Sequence, residues 1–421
     1  MKFNIQSFKK GTLIFSWALY DLANQFFALN VVSLYFVRWL TFEKGAPEIF
    51  YVISFGISAL FIAILSPIFG SISDLTGKRR IFLAYLTVLS VIFTIAIGLS
   101  ANILLALIFF AIANFGCQTS IVFYNAMIVN IAPKNKIGLV SGFGKMLGYS
   151  GAIFALYLIK PIQLARGYQA TFLPTGIMFL VFSLPCLLFV KDQKLRSDVK
   201  LGHLFNKDKA IEIFKKLKVS ILNVNKIPGL MDLLIAMFFS LCAVYVVILF
   251  MSVYATRIFG LNDSQVVNLI MFSTFFAIIG SIASGFLSDY VGYKRSLCSI
   301  FILWTVCFLL GALNQDSRLY WLIGAIAGLA MSSGWVVSRA ALVRLVPEEK
   351  IGEIFGLFNI VNLVSSIIGP LFYGITIFFL SSLGALGYRI SLASLILFTL
   401  LGLKYLLRVP KITTAKINAR R

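Results

Sequence analysis

The sequence predicts an all-α membrane protein, with twelve transmembrane helices in two pseudo-symmetric six-helix halves. Three observations predict it. Apolar residues make up 60% of the 421-residue chain and charged residues only 12%, against about half and a quarter in soluble domains. Apolar runs of roughly 20 residues, long enough to cross a bilayer as helices, recur along the whole length. One phrase also occurs twice. Its first copy holds Gly70, Asp74 and Gly77, followed by Lys78, Arg79 and Arg80; its second holds Gly285, Asp289 and Gly292, followed by Lys294 and Arg295.

The spans follow in order. The first, 12–37, opens after Lys9 and Lys10. It begins like a signal peptide, but the run is too long and no small-residue cleavage site follows, so it reads as a retained helix. The second, 48–72, runs into the first copy of the phrase, and the third, 81–99, leaves it. The fourth, 102–130, ends before Pro133, Lys136, Ile137 and Gly138; spans 140–159 and 171–190 complete a half over 1–190. Residues 191–229 form the only long polar stretch, with ten basic residues, four acidic residues and the single histidine, His203. Leu204, Ile211, Phe214, Leu217 and Ile221 recur there at helical spacing beside lysines, which reads either as a basic amphipathic helix on the membrane surface or as a solvated tether. The second half, 230–421, repeats the order with spans at 230–256, 265–288, 296–313, 319–344, 354–380 and 386–407, then a basic tail. Its tenth span ends before Pro347, Lys350, Ile351 and Gly352, which sit 214 residues after their counterparts, while the phrase repeats at 215. Two landmarks at nearly one spacing identify a duplication of six spans.

The net charge of +22 reports topology. With twelve spans both termini share a side, and that side holds 28 Lys and Arg against seven opposite. The bias predicts cytoplasmic termini in the cell (inner) membrane and contact with anionic lipid, with no nucleic-acid partner. The five cysteines show neither disulfide nor metal spacing and read as buried apolar filler. Gly144-Lys145 is not a phosphate loop, because the spacing is wrong and Met146 stands where Ser or Thr is required. No catalytic constellation occurs. The chain therefore reads as a non-enzyme without cofactor; the expectation is a monomer that takes a small-molecule substrate, driven either by an ion gradient, with a proton or sodium as the coupling ion, or by the solute's own gradient.

The repeated phrase resembles the signature between helices two and three, and eight and nine, of the major facilitator superfamily. Within it, Ser16-Trp17-Ala18-Leu19-Tyr20-Asp21-Leu22-Ala23-Asn24 resembles the WALYDWANS stretch of the autophagy-related vacuolar effluxer family. Ser141-Gly142-Phe143-Gly144 and Ser338 through Leu357 are similar to that family's fifth span and its tenth-to-eleventh span region. Leu22, Gln25 and Lys145 depart from its pattern. The resemblance implies the major facilitator fold, alternating access and, from the fungal members, amino-acid efflux. A drug exporter, or a receptor or lipid-handling scaffold on the same fold, remains open.

Two groups of residues carry the functional expectation. In the repeated phrase, Gly70 and Gly285 permit close backbone approach. Asp74 and Asp289 are acids able to accept from exposed helix N-terminal amides and to pair with nearby Arg. The expected device is a latch between helices, built from Gly70, Asp74, Gly77, Arg79, Arg80, Gly285, Asp289, Gly292, Lys294 and Arg295. The second group lies deeper. Asp21 sits about ten residues into the first span, roughly 14 Å at 1.5 Å per residue, with Asn24 and Gln25 on neighbouring faces. Asp21 would carry a proton, pair with a substrate amine or bond structurally to another span. Arg339 either clamps a carboxylate or pairs with Asp289; Asn125 holds the matching place in the first half. Asn359 and Asn362, like Asn114 and Gln118, read as inward-facing. Lys145 is expected to snorkel to the inner interface, and Asp232 to cap the seventh helix.

Overall fold

The computed structural model describes residues 5–46, 49–192, 227–314 and 317–410. Twelve of its helices are long and apolar enough to cross a membrane. We number them α1 (Ile5–Phe27), α2 (Ile49–Thr76), α3 (Arg79–Leu99), α4 (Ile103–Ala126), α5 (Ile137–Arg166), α6 (Phe172–Phe189), α7 (Leu230–Phe259), α8 (Asp263–Tyr290), α9 (Tyr293–Leu313), α10 (Tyr320–Leu345), α11 (Ile351–Phe379) and α12 (Ala385–Arg408). The expected surface helix around 204–221, His203 and the tail from Lys411 lie outside the described residues.

Local chemistry sets the helix ends. Asn102 caps α4 by accepting from the Leu104 and Leu105 amides at 2.8 and 3.3 Å. Asn262 and Gln265 form a reciprocal capping box at the start of α8, which satisfies two otherwise orphaned donors. Asp232 does not cap α7. Gly229, at φ 79°, takes that position, and Asp232 lies in the first turn, where the helix dipole favours an acid. Beyond Phe27, α1 continues as a π-helical stretch over Ala28–Tyr35. Asp74 and Asp289 lie in the last turns of α2 and α8, and the chain turns over Gly77-Lys78 and Val291-Gly292, with the glycines at φ 64° and 95°.

The chain forms two compact units. The first comprises Met1–Lys134, Phe143–Val219 and Glu348–Asn359. In it α1 packs on α6, α2 on α4, and α3 on both α4 and α6. The second comprises Asn135–Gly142, Ser220–Pro347 and Ile360–Arg421. There α7 packs on α12, α8 on α10, and α9 on both α10 and α12. Every pairing of the first unit thus recurs six helices later, as a duplicated bundle requires. The start of α11 belongs to the first unit and the start of α5 to the second.

Small residues set these contacts, as they do where helices must approach closely in a membrane. A Cβ on Gly70 would overlap the Gly352 carbonyl, and one on Gly285 would overlap that of Gly138. Gly356 lies against Ser66 and Pro67, as Gly142 lies against Ser281. Valine at position 70 would force α2 from the start of α11. We expect Gly70→Val to cost about 1–3 kcal/mol and to lower the melting temperature in detergent; an unchanged melt would show that the contact tolerates a side chain.

Candidate functional site

Two sites emerge, one deep in the first unit and one repeated at helix ends in both. The deep site is built on α1, α4 and α5. The Asp21 carboxylate is buried at 3% exposure. Its Oδ2 accepts from the Tyr124 hydroxyl at 2.9 Å, and its Oδ1 takes the Lys145 ammonium at 2.9 Å. The Tyr124 ring stacks between Trp17 and Tyr20, with centroids at 4.5 and 5.0 Å, and Trp17 Nε1 donates to the Tyr124 carbonyl. The glycines of α5 bring Lys145 here. A Cβ on Gly144 would meet Trp17 at 2.7 Å and Asp21 Oδ2 at 3.2 Å, and Gly148 lies on the Asp21 backbone. The expected snorkel of Lys145 to an interface therefore does not occur. A buried carboxylate loses its hydration and needs a cation, and Lys145 supplies one.

One turn along α1, Asn24 accepts from the Cys117 thiol at 2.9 Å, so Cys117 is not mere apolar filler. Gln25, on the next face, is half-buried. Asn359 reaches the same part of α4, donating to the Gln118 carbonyl at 3.4 Å and to Ser66 Oγ at 3.3 Å. Asn114 binds Ser58 at 2.6 Å, which ties α4 to α2. Asn125 is half-buried, and its side-chain oxygen has no hydrogen-bond partner among the described residues. In the second unit Asn362 accepts from the Tyr245 hydroxyl at 2.8 Å, and Arg339 is buried on α10.

At the helix ends the acids act as caps. Asp74 accepts from the backbone amides of Gly352 and Glu353 at 3.0 and 2.9 Å, and from Arg79 Nη2 at 2.8 Å. Arg79 is itself buried and also donates to the carbonyls of Ala126 and Glu348. The second copy matches: Asp289 accepts from the Gly138 and Leu139 amides at 2.9 and 2.7 Å. Its arginine is Arg344, and the pairing with Arg339 entertained above is corrected. Arg344 lies one residue before the end of α10, level with the end of α8. Lys294 and Arg295 do not join Asp289 either. Lys294 donates to the Leu407 and Val409 carbonyls at the end of α12, and Arg295 is exposed. Arg80 offers its backbone amide to Asp192 at 2.8 Å. Asp192 lies outside the spans, and burial pushes its carboxyl upward against the pull of that amide and of the Arg79 and Arg80 charges.

Sequence reading missed Tyr124, Cys117 and Arg344. Tyr124 and Cys117 are seven residues apart, two turns on one face of α4, which was a readable signal. No group of three or more His, Cys, Asp or Glu suited to a metal occurs among the described residues.

The profile of the vacuole effluxer Atg22-like family matches residues 46–138 and 129–416. The chain is 25% identical over 427 residues to the MFS-type transporter YxiO of Bacillus subtilis (strain 168), covering 96% of each. Among solved structures it is similar to the human organic anion transporter MFSD10, at TM-score 0.74 and 13% identity, covering 94% of this chain and 99% of that one. It is also similar to the major facilitator superfamily proton:xylose symporter XylE, at TM-score 0.68 and 13% identity, covering 95% of each.

Proposed function

The chain belongs to the vacuole effluxer Atg22-like family of the major facilitator superfamily, and from that membership we propose that it moves a small organic solute, an amino acid or related metabolite, by alternating access with a proton as the coupling ion. It is an integral, multi-pass membrane transporter and not an enzyme. The observation that carries the finer reading is the Asp21–Lys145 ion pair with Tyr124, inside a layer of apolar helices. A buried pair of opposite charges is costly and marks an ion or substrate path by default.

In this reading Asp21, Asn24, Gln25, Asn125, Arg339, Asn359 and Asn362 serve the solute or the coupling ion. Asp74 and Asp289, with Arg79 and Arg344, act as latches that hold helix starts in one transport state and release them in the other. The charge bias supports cytoplasmic termini in the inner membrane, and the protein works as a monomer.

Purified protein in proteoliposomes tests this. We expect counterflow of at least one labelled amino acid, and an initial rate several-fold faster under an imposed pH gradient. Binding without counterflow would favour a receptor, and a rate indifferent to the gradient would remove the proton.

A further inference from the structure

We propose that α1, α3, α4 and α6 enclose a water-binding site at the level of Asn30, and that its waters serve α1 as a joint during transport. The joint rests on the transporter reading; the water site does not.

Four side chains carry the site. Asn30, Ser90, Thr119 and Thr175 are each 0% exposed. Asn30 Oδ1 and Nδ2, Ser90 Oγ, Thr119 Oγ1 and Thr175 Oγ1 have no hydrogen-bond partner among the described residues. Hydroxyls that only serve their own helix look different: on α3, Thr87 and Thr94 donate back to the Leu83 and Ser90 carbonyls at 2.7 Å. The four share one level of the first unit. A Cβ on Gly116 would stand 3.3 Å from the Ser90 Cβ, and Thr119 follows Gly116 by three residues, on the same side of α4. A Cβ on Gly176, next to Thr175, would stand 3.4 Å from the carbonyl of Val91, next to Ser90. Asn30 lies between Phe27 and Phe36, whose rings meet those of Phe179 and Phe172 on α6 with centroids at 6.0 and 6.1 Å. Thr175 lies between those same two partners.

Polar groups buried in a bilayer must find their partners inside the protein. One amide and three hydroxyls make up the set, so it both donates and accepts, and it carries no charge. A cation would leave the Asn30 Nδ2 donor unpaired and an anion would leave its Oδ1 unpaired, whereas water pairs both. The backbone of α1 is irregular at the same level. Asn30 sits in the π-helical stretch Ala28–Tyr35, a geometry that is rare and recurs at functional sites. Side chains already donate to carbonyls of this stretch: Ser33 Oγ to Ala28 at 3.0 Å and the Tyr51 hydroxyl to Val32 at 2.7 Å. A π turn bonds residues five apart and an α turn residues four apart. Passage from one to the other makes each amide change its acceptor, and ordered water pairs the groups freed meanwhile. Water held on Asn30 lets α1 bend here without stranding its backbone. The bend re-aims Asn24 and Asp21, six and nine residues earlier on the same helix.

Hydroxyl-radical footprinting of the purified protein by a brief X-ray pulse reads the site, because radicals formed from bound water label the side chains beside it. We expect Phe27, Val31 and Phe179, all 0% exposed, to be labelled several-fold faster than Leu233 and Val246, which are 0% exposed in the second unit, after correction for intrinsic reactivity. Thr175→Val keeps the shape and removes a hydroxyl; it should lower that labelling several-fold and slow counterflow in proteoliposomes several-fold. Thr175→Ser should restore both, which tells loss of the hydroxyl from a packing defect. Asn30→Leu should act as Thr175→Val does. Wild-type labelling no faster than at Leu233 and Val246 would overturn the site, and this measurement decides even where a variant fails to fold. Labelling unchanged in both Thr175→Val and Asn30→Leu would overturn the assignment to these side chains. Labelling lost while counterflow keeps its wild-type rate would overturn the joint. Labelled wild-type protein with no counterflow of any solute removes the transporter reading and the joint together and leaves the water site standing.

Discussion

Asp21→Ala should cost the protein about 3–5 kcal/mol, and Asp21→Ala with Lys145→Met in the same chain should recover most of the loss. The single change takes the Asp21 carboxylate from a largely buried ammonium; the double change replaces the ion pair by apolar volume, which is often neutral. The pair lies at 2.9 Å with both side chains largely buried, so solvent screens it weakly. Melting in detergent, followed by intrinsic fluorescence, should show the single variant lower by on the order of 10 °C and the double variant near wild type. Equal falls in both would mean that the two residues are uncoupled and that Lys145 finds another partner readily. The same experiment separates architecture from transport, because the double variant should fold yet fail to accumulate solute.

The second large effect is expected at Asp74. Its carboxylate serves three donors at once, the Gly352 and Glu353 amides and Arg79. Hydrogen bonds to a charged group contribute about 1.5–3 kcal/mol each, and the amides at a helix start also feel the dipole. Asp74→Asn keeps the shape and removes the charge. We expect it to insert normally and to slow transport roughly tenfold or more, as loss of about 1.4 kcal/mol from one state allows. Asp289→Asn should act in the same direction, since it repeats the geometry on Gly138 and Leu139. Wild-type rates in both variants would leave the acids as simple helix caps with no part in the cycle.

Much of this was legible in the sequence, for a physical reason. A bilayer demands about 20 apolar residues per helix, so the twelve spans could be counted before any coordinate was known. A carboxylate between a glycine and a basic cluster at a helix end has few uses, and acceptance from amides was one of them. What remained hidden depended on which helix faces met. Arg339 and Arg344 lie five residues apart on α10, and spacing alone does not tell which one faces α8. Lys145 sits close enough to the end of α5 to reach water, and only the approach of α5 to α1 through Gly144 and Gly148 turns it inward. Cys117 looked apolar because its partner, Asn24, is 93 residues away.

The first unit includes 348–359, and this sets a timetable for synthesis. Asp74 enters the membrane long before its amide partners exist, since Gly352 follows it by 278 residues. At roughly 5–20 residues per second, the carboxylate waits on the order of tens of seconds. Arg79, only five residues on, is the one partner already made. Its guanidinium, 2.8 Å from the carboxylate in the finished fold, is the charge available to balance the acid until α11 arrives to complete the cap. A chain cut within 191–229 would leave each fragment without part of its own bundle, so the two fragments should accumulate only when made together.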